Sequence, residues 1–158
     1  MTPPPPRLAL TGITRAFGGA PVVDGVTLSI APGQVTCLLG PSGCGKSTTL
    51  RIVAGVEPAD AGTVAIDGAV VQDGPRGTPP ETRSVGLMFQ DFALFPHLTV
   101  AQNVGFGLRG DRAARAARVG ELLERMNLRG FGDKPPHHLS GGEQQRVAIA
   151  RALAPRPR

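Results

Sequence analysis

Val26, Leu28 and Ile30 alternate with Thr27 and Ser29 before a Pro-Gly pair at 32 and 33. This period of two is that of a strand with one wet face. Together with "LALTGITRAFGG" at 8–19 it predicts a pair of strands. "VTCLL" at 35–39 is apolar throughout, the pattern of a strand covered on both faces, and a glycine loop and the helical run "KSTTLRIVAG" at 46–55 follow at once. "TVAIDGAVV" at 63–71 predicts a further strand or hairpin, and "SVGLMF" at 84–89 a second buried strand. The rhythm then lengthens. "TVAQNVGFGL" at 99–108 and "DRAARAARVGELLERMNL" at 111–128 predict helices, the second with Val119, Leu122, Leu123 and Met126 on one face as core packing. An antiparallel start followed by strand-helix-strand alternation predicts an α/β domain with a small β subdomain.

A length of 158 residues fits one domain, and 22 glycines with 16 prolines predict many turns. The formal charge of +5 raises nucleic acid as a partner. The arginines of "RAARAAR" and "RPR" are not interleaved with aromatics, and the chain has no Trp or Tyr to stack on bases, so no nucleic-acid partner is expected. Two cysteines, Cys37 and Cys44, have no metal-site or disulfide-framework spacing and fit a reducing compartment. His97, His137 and His138 lack a second ligand at useful spacing, so no histidine metal site is expected. No apolar leader opens the sequence, and no run nears the roughly 18 apolar residues that cross a bilayer.

"GPSGCGKST" satisfies G-x-x-x-x-G-K-[ST] with Gly40, Gly45, Lys46 and Ser47, and its interior is Pro41, Ser42, Gly43 and Cys44, with Thr48 following. Glycines permit positive φ and close backbone approach, so successive N–H groups can cradle phosphate oxygens. Lys46 supplies a point charge, the Ser47 hydroxyl suits Mg²⁺, and the following helix adds the positive end of its dipole. This motif points to a nucleotide but leaves GTPases, small-molecule kinases and transport ATPases open. No N-K-x-D motif for guanine is found in the sequence.

"LSGGEQQR" begins at Leu139, and its Ser140 and Glu143 form an S-x-x-E capping box that predicts a helix starting at Gly141 and Gly142. Two glycines cost a helix roughly 1 kcal/mol each relative to alanine within its interior. A bare N-terminus accepts that cost where a phosphate must come close.

The ordered trio "GPSGCGKST", "LMFQDFALFPHLTVAQNV" and "LSGGEQQRVAIARAL" resembles the nucleotide-binding domain of ATP-binding-cassette (ABC) transporters, from about residue 7 onward. The resemblance implies a P-loop NTPase fold: a RecA-like core, an antiparallel β subdomain and a helical subdomain at about 92–139, after a flexible proline-rich start at 1–6. It implies ATP and Mg²⁺ as ligands and a head-to-tail dimer in which Ser140, Gly141, Gly142 and Glu143 of one subunit close over ATP held by the other. Gln90 takes the place of the family's Q-loop glutamine, reaching toward Mg²⁺ and the attacking water. Phe17 takes the place of the aromatic that stacks on adenine, with a buried strand-end Phe as the alternative reading. The segment after Gln90 resembles the region that docks a permease, which implies that Phe92, Leu94, Phe95 and His97 face that partner.

The family's Walker B carboxylates, D-loop and switch histidine are expected after the signature helix, and no Asp, Glu or His follows Arg151. The sequence therefore reads as C-terminally truncated, able to bind nucleotide but not to turn it over. By resemblance the intact relative is a cytoplasmic ATPase, peripheral on the inner face of the membrane. It works with permease subunits, a second ATP-binding subunit and, indirectly, a solute-binding protein. "PPETRSVGLMFQDFALFPHLTVAQNVGFGLR" looks most like importers of ferric iron, polyamines or sulfate, with iron as first choice. A non-transport ABC ATPase and a non-hydrolysing nucleotide-binding fragment are the alternatives.

Overall fold

A computed structural model describes residues 5–157, so most of the proline-rich start lies outside the described residues. The chain forms two compact units, one ending at Val85 and one beginning at Gly86.

In the first unit, β1 (Leu8–Phe17) pairs antiparallel with β2 (Ala20–Ile30). Gly18 and Gly19, with φ of 57° and 84°, close the hairpin as a two-residue turn in which both residues need positive φ. β1 pairs on its other side with β3 (Ala61–Ile66), which turns through Asp67 and Gly68 into β4 (Ala69–Asp73) and then β5 (Arg76–Gly77). The sheet order is β2-β1-β3-β4-β5, antiparallel throughout. Val26, Leu28 and Ile30 are half-buried while Thr27 and Ser29 are exposed, as the alternation predicts. The helix expected over 46–55 is α1 (Lys46–Ala54), ended by Gly55 in the left-handed region. Its Ile52 and Val53 share a core with Leu10, Ile13, Val23 and Val64, so helix and sheet bury one apolar face between them.

The two strands expected to be buried are not formed. Residues 35–39 join no ladder, with Val35 89% and Leu39 90% exposed, and 84–89 likewise form no strand. A strand covered on both faces requires neighbours that accept its backbone hydrogen bonds. Among the described residues, the sheet's five strands pair with one another and none pairs with either segment.

The second unit is helical. Its apolar core gathers Val100 and Val104 from α2 (Val100–Gly105), Leu122 and Leu123 from α3 (Arg112–Arg125), and Val147 and Ala150 from α4 (Gly141–Leu153). Val119 and Met126 pack against it, so the stripe on the second predicted helix is core packing. Each helix starts at a side-chain cap: Thr99 with Gln102, Asp111 alone, and Ser140 with Glu143. α2 is shorter than the run 99–108 because it stops where Gly105 and Gly107 weaken the helix. Asn103 on α2 is fully buried; its side chain accepts from Phe95 N–H at 2.8 Å and donates to the carbonyls of Phe95 and Leu98, both at 3.1 Å. This satisfied amide shapes the loop that follows Gln90.

Candidate functional site

The phosphate loop belongs to the first unit. Gly43 and Gly45 have φ of 84° and 86°, and Gly45 is the N-cap of α1 with no side chain bonded over the helix start. A Cβ on Gly45 would lie 2.2 Å from the carbonyl oxygen of Val22, so the loop backs directly onto β2. The Lys46 ammonium folds over the loop and donates to the carbonyls of Gly40 at 2.8 Å and Pro41 at 2.6 Å, with Cys44 Sγ at 3.4 Å. A cation thus sits over an uncapped helix N-terminus, and both favour an anion at one place. Pro41, Ser42, Gly43, Cys44 and Ser47 are exposed, while Thr48 is half-buried. The donor set fits a phosphate with a hard cation: backbone N–H groups, an ammonium and an accessible hydroxyl.

Phe17 ends β1 and is 47% exposed, which removes the buried-strand-end alternative. One face of its ring lies 4.8 Å from the Arg15 guanidinium. Arg15 was not among the expected site residues. Its position two before Phe17 on a predicted strand was the available signal, because alternate strand residues share a face.

The signature segment belongs to the second unit. The Ser140 hydroxyl accepts from Glu143 N–H at 3.4 Å, and Glu143 Oε2 accepts from both the Ser140 N–H and its hydroxyl at 2.7 Å. The Ser140 hydroxyl, then its backbone N–H, hold the Glu143 carboxyl below its ordinary 4.5. Gly141 and Gly142 are exposed; a Cβ on the first would meet nothing within 4 Å, and on the second only the Arg146 guanidinium at 3.8 Å.

Gln90 is exposed, in the turn that opens 90–93. Phe92 and Ala93 have φ of 60° and 45°, and their carbonyls accept from Arg151 of α4 at 3.0 and 2.7 Å. Leu94 packs on the helical core and so faces inward within its unit, whereas the half-buried Phe95 ring lies tilted against the exposed Phe106 at 4.3 Å. His97 is exposed, 6.1 Å edge-on from Phe95, and His137 and His138 meet edge to face at 4.5 Å. No cluster of three metal-binding side chains occurs among the described residues, and Cys37 and Cys44 are free thiols.

A glycine cradle before an uncapped helix, and a glycine turn before a capped one, match a known family over most of the chain: the profile described as ABC transporter matches residues 23–158. The chain belongs to the ABC transporter family. It is 54% identical over 98% of its length to the Fe(3+) ions import ATP-binding protein FbpC of Streptomyces coelicolor, whose own length it covers to 44%. It is 45% identical over 97% of its length to the putrescine transport ATP-binding protein PotG of Escherichia coli, covering 40% of that protein. The chain thus spans less than half the length of these relatives. Among solved structures, the dimeric post-hydrolysis state of the ATP-binding cassette MJ0796 bound to ADP and Pi matches with a TM-score of 0.83 at 36% identity, over 95% of this chain and 70% of that one. The fold is therefore that of the P-loop ABC cassette, with its antiparallel sheet and helices.

Proposed function

We propose that this chain is ATP-binding sequence of an ABC importer subunit that takes up ferric iron, working with permease subunits, a second ATP-binding subunit and, indirectly, a solute-binding protein. The carrying observation is the pairing of the Lys46 ammonium, folded over a glycine loop, with an α1 whose start no side chain caps, an arrangement that suits a phosphate. The loop from Gly40 to Gly45 offers the backbone N–H groups of its residues other than Pro41 to the phosphates, Lys46 exchanges loop carbonyls for phosphate oxygens, and Ser47 offers its hydroxyl to Mg²⁺. Phe17 stacks on adenine through its open ring face, and Gln90 orients groups near the metal.

Bound MgATP supplies the phosphoanhydride whose cleavage drives transport. Ser140, Gly141 and Gly142 approach the γ-phosphate held by a second subunit, which explains glycines where this chain's own packing leaves room for a Cβ. Hydrolysis is proposed of the whole protein, where a further carboxylate completes the site. The subunit works at the inner face of the membrane through its permease; none of the described helices is long and apolar enough to cross a bilayer.

The choice of iron is supported by the Streptomyces coelicolor relative at 54% identity, against 45% for the putrescine relative. Uptake of labelled ferric iron and putrescine in cells carrying Lys46→Ala in the source gene tests it. Loss of iron uptake alone is expected. Loss of putrescine uptake alone reassigns the solute, and loss of neither removes the transport reading.

A further inference from the structure

Arg15 sits at the centre of a small charged clamp in the first unit. Its Nη1 donates to Asp60 Oδ1 at 2.6 Å and its Nη2 donates to Glu57 Oε1. Asp60 uses its second oxygen to accept from the Ala16 N–H at 2.7 Å, and its own N–H donates to the Thr14 carbonyl at 2.8 Å. The fork is therefore fixed from both ends, by two carboxylates on the loop after α1 and by the β1 backbone on either side of Arg15. The arginine side chain is only 21% exposed, and its Nε has no hydrogen-bond partner among the described residues, so the two carboxylates set the plane of the guanidinium. The backbone N–H of Ala16, then Arg15 itself, hold the Asp60 carboxyl below its ordinary range, so the clamp is charged at neutral pH.

The held guanidinium lies 4.8 Å from the centre of the Phe17 ring, within the range of a cation–π contact, while that ring is still 47% exposed. Phe17 ends its strand beside the turn at Gly18 and Gly19 and lies outside the hydrophobic core of the first unit. An exposed ring left to itself would sample several rotamers, and ordering it would weaken stacking by a base. We propose that Arg15 is a positioning residue for nucleotide recognition: anchored by Glu57 and Asp60, it holds one face of the Phe17 ring so that the other face is presented, already oriented, to a purine base. The inference rests on the reading of Phe17 as the base-stacking residue. Because Glu57 and Asp60 follow directly on α1, the same clamp ties the base platform to the helix that receives the phosphates.

The test compares the affinity of the full chain for MgATP with that for magnesium tripolyphosphate, which has the phosphates but no base. The ratio of the two affinities isolates the base. Phe17→Ala is expected to lower this ratio about 10-fold, the scale of a lost base–aromatic stack. Arg15→Gln is expected to lower it about 3- to 5-fold, the scale of a lost exposed cation–π contact, leaving tripolyphosphate affinity within twofold. In the Phe17→Ala background, Arg15→Gln should lower the ratio no further. Glu57→Gln loosens the clamp without touching β1 and carries the test if Arg15→Gln does not fold; a fall of about twofold is expected. An unchanged ratio in Phe17→Ala overturns the base-stacking reading and this inference with it. A fall in Phe17→Ala with an unchanged ratio in Arg15→Gln or Glu57→Gln, or an equal loss of both ligands in Arg15→Gln, overturns the inference alone.

Discussion

The two glycine-rich turns of this chain open helices in opposite ways. Before α1, Gly45 has a φ of 86°, its missing Cβ leaves room for the Val22 carbonyl, and no side chain covers the helix start. Before α4, Ser140 and Glu143 close a reciprocal cap, and a Cβ on Gly141 would meet nothing. The phosphate-loop glycine is thus demanded by this chain's own fold. The signature glycines have no such internal reason and point to something that comes from outside.

The widest separation between the two should come from alanine substitutions. Gly45→Ala forces a β-carbon into the Val22 carbonyl at positive φ and should destabilise the first unit by about 3 kcal/mol or more, read by urea denaturation. Gly142→Ala should leave stability unchanged or raise it by up to about 1 kcal/mol, since alanine is the better helix former. A comparable loss at both sites would erase the distinction.

The cap on α4 gives an intermediate effect. Ser140→Ala removes the acceptor for Glu143 N–H and should cost about 1 kcal/mol of stability, with no change in the ATP affinity of the single chain. A loss of ATP affinity with stability intact would place Ser140 on the nucleotide of its own chain.

The smallest effect is a pH dependence. The folded Glu143 carboxyl titrates below its ordinary 4.5, so its contribution to stability is fully present above that value and is lost as pH falls through the lower folded value. The stability difference between the original chain and Glu143→Gln should be constant from about pH 8 to 6 and shrink on further acidification. A difference that grows in acid would mean that the cap is not held by the carboxylate.

Local signals carried most of this architecture. The alternation at 26–30 and the motif at Gly40 to Ser47 announce β2 and the loop before α1, and S-x-x-E announces the start of α4, because each depends on neighbours within a few residues. The apolar runs at 35–39 and 84–89 were misleading as strands here, since strand formation depends on partners that periodicity does not name. The Arg15 clamp was hidden for a similar reason: Glu57 and Asp60 lie 42 and 45 residues away in sequence. Arg151 and the backbone of 92–93 are separated by nearly 60 residues, although their bonds shape the turn after Gln90. Pairings over such distances are set by the fold.

The most direct measurement is a calorimetric titration of MgATP into the full chain and into its Lys46→Ala form. Removing the ammonium held over the phosphate cradle should weaken binding by about 2 kcal/mol, close to 30-fold, with the fold intact by circular dichroism. Equal affinity in the two chains would contradict the account, because the nucleotide would then be held somewhere other than the loop at Gly40 to Ser47.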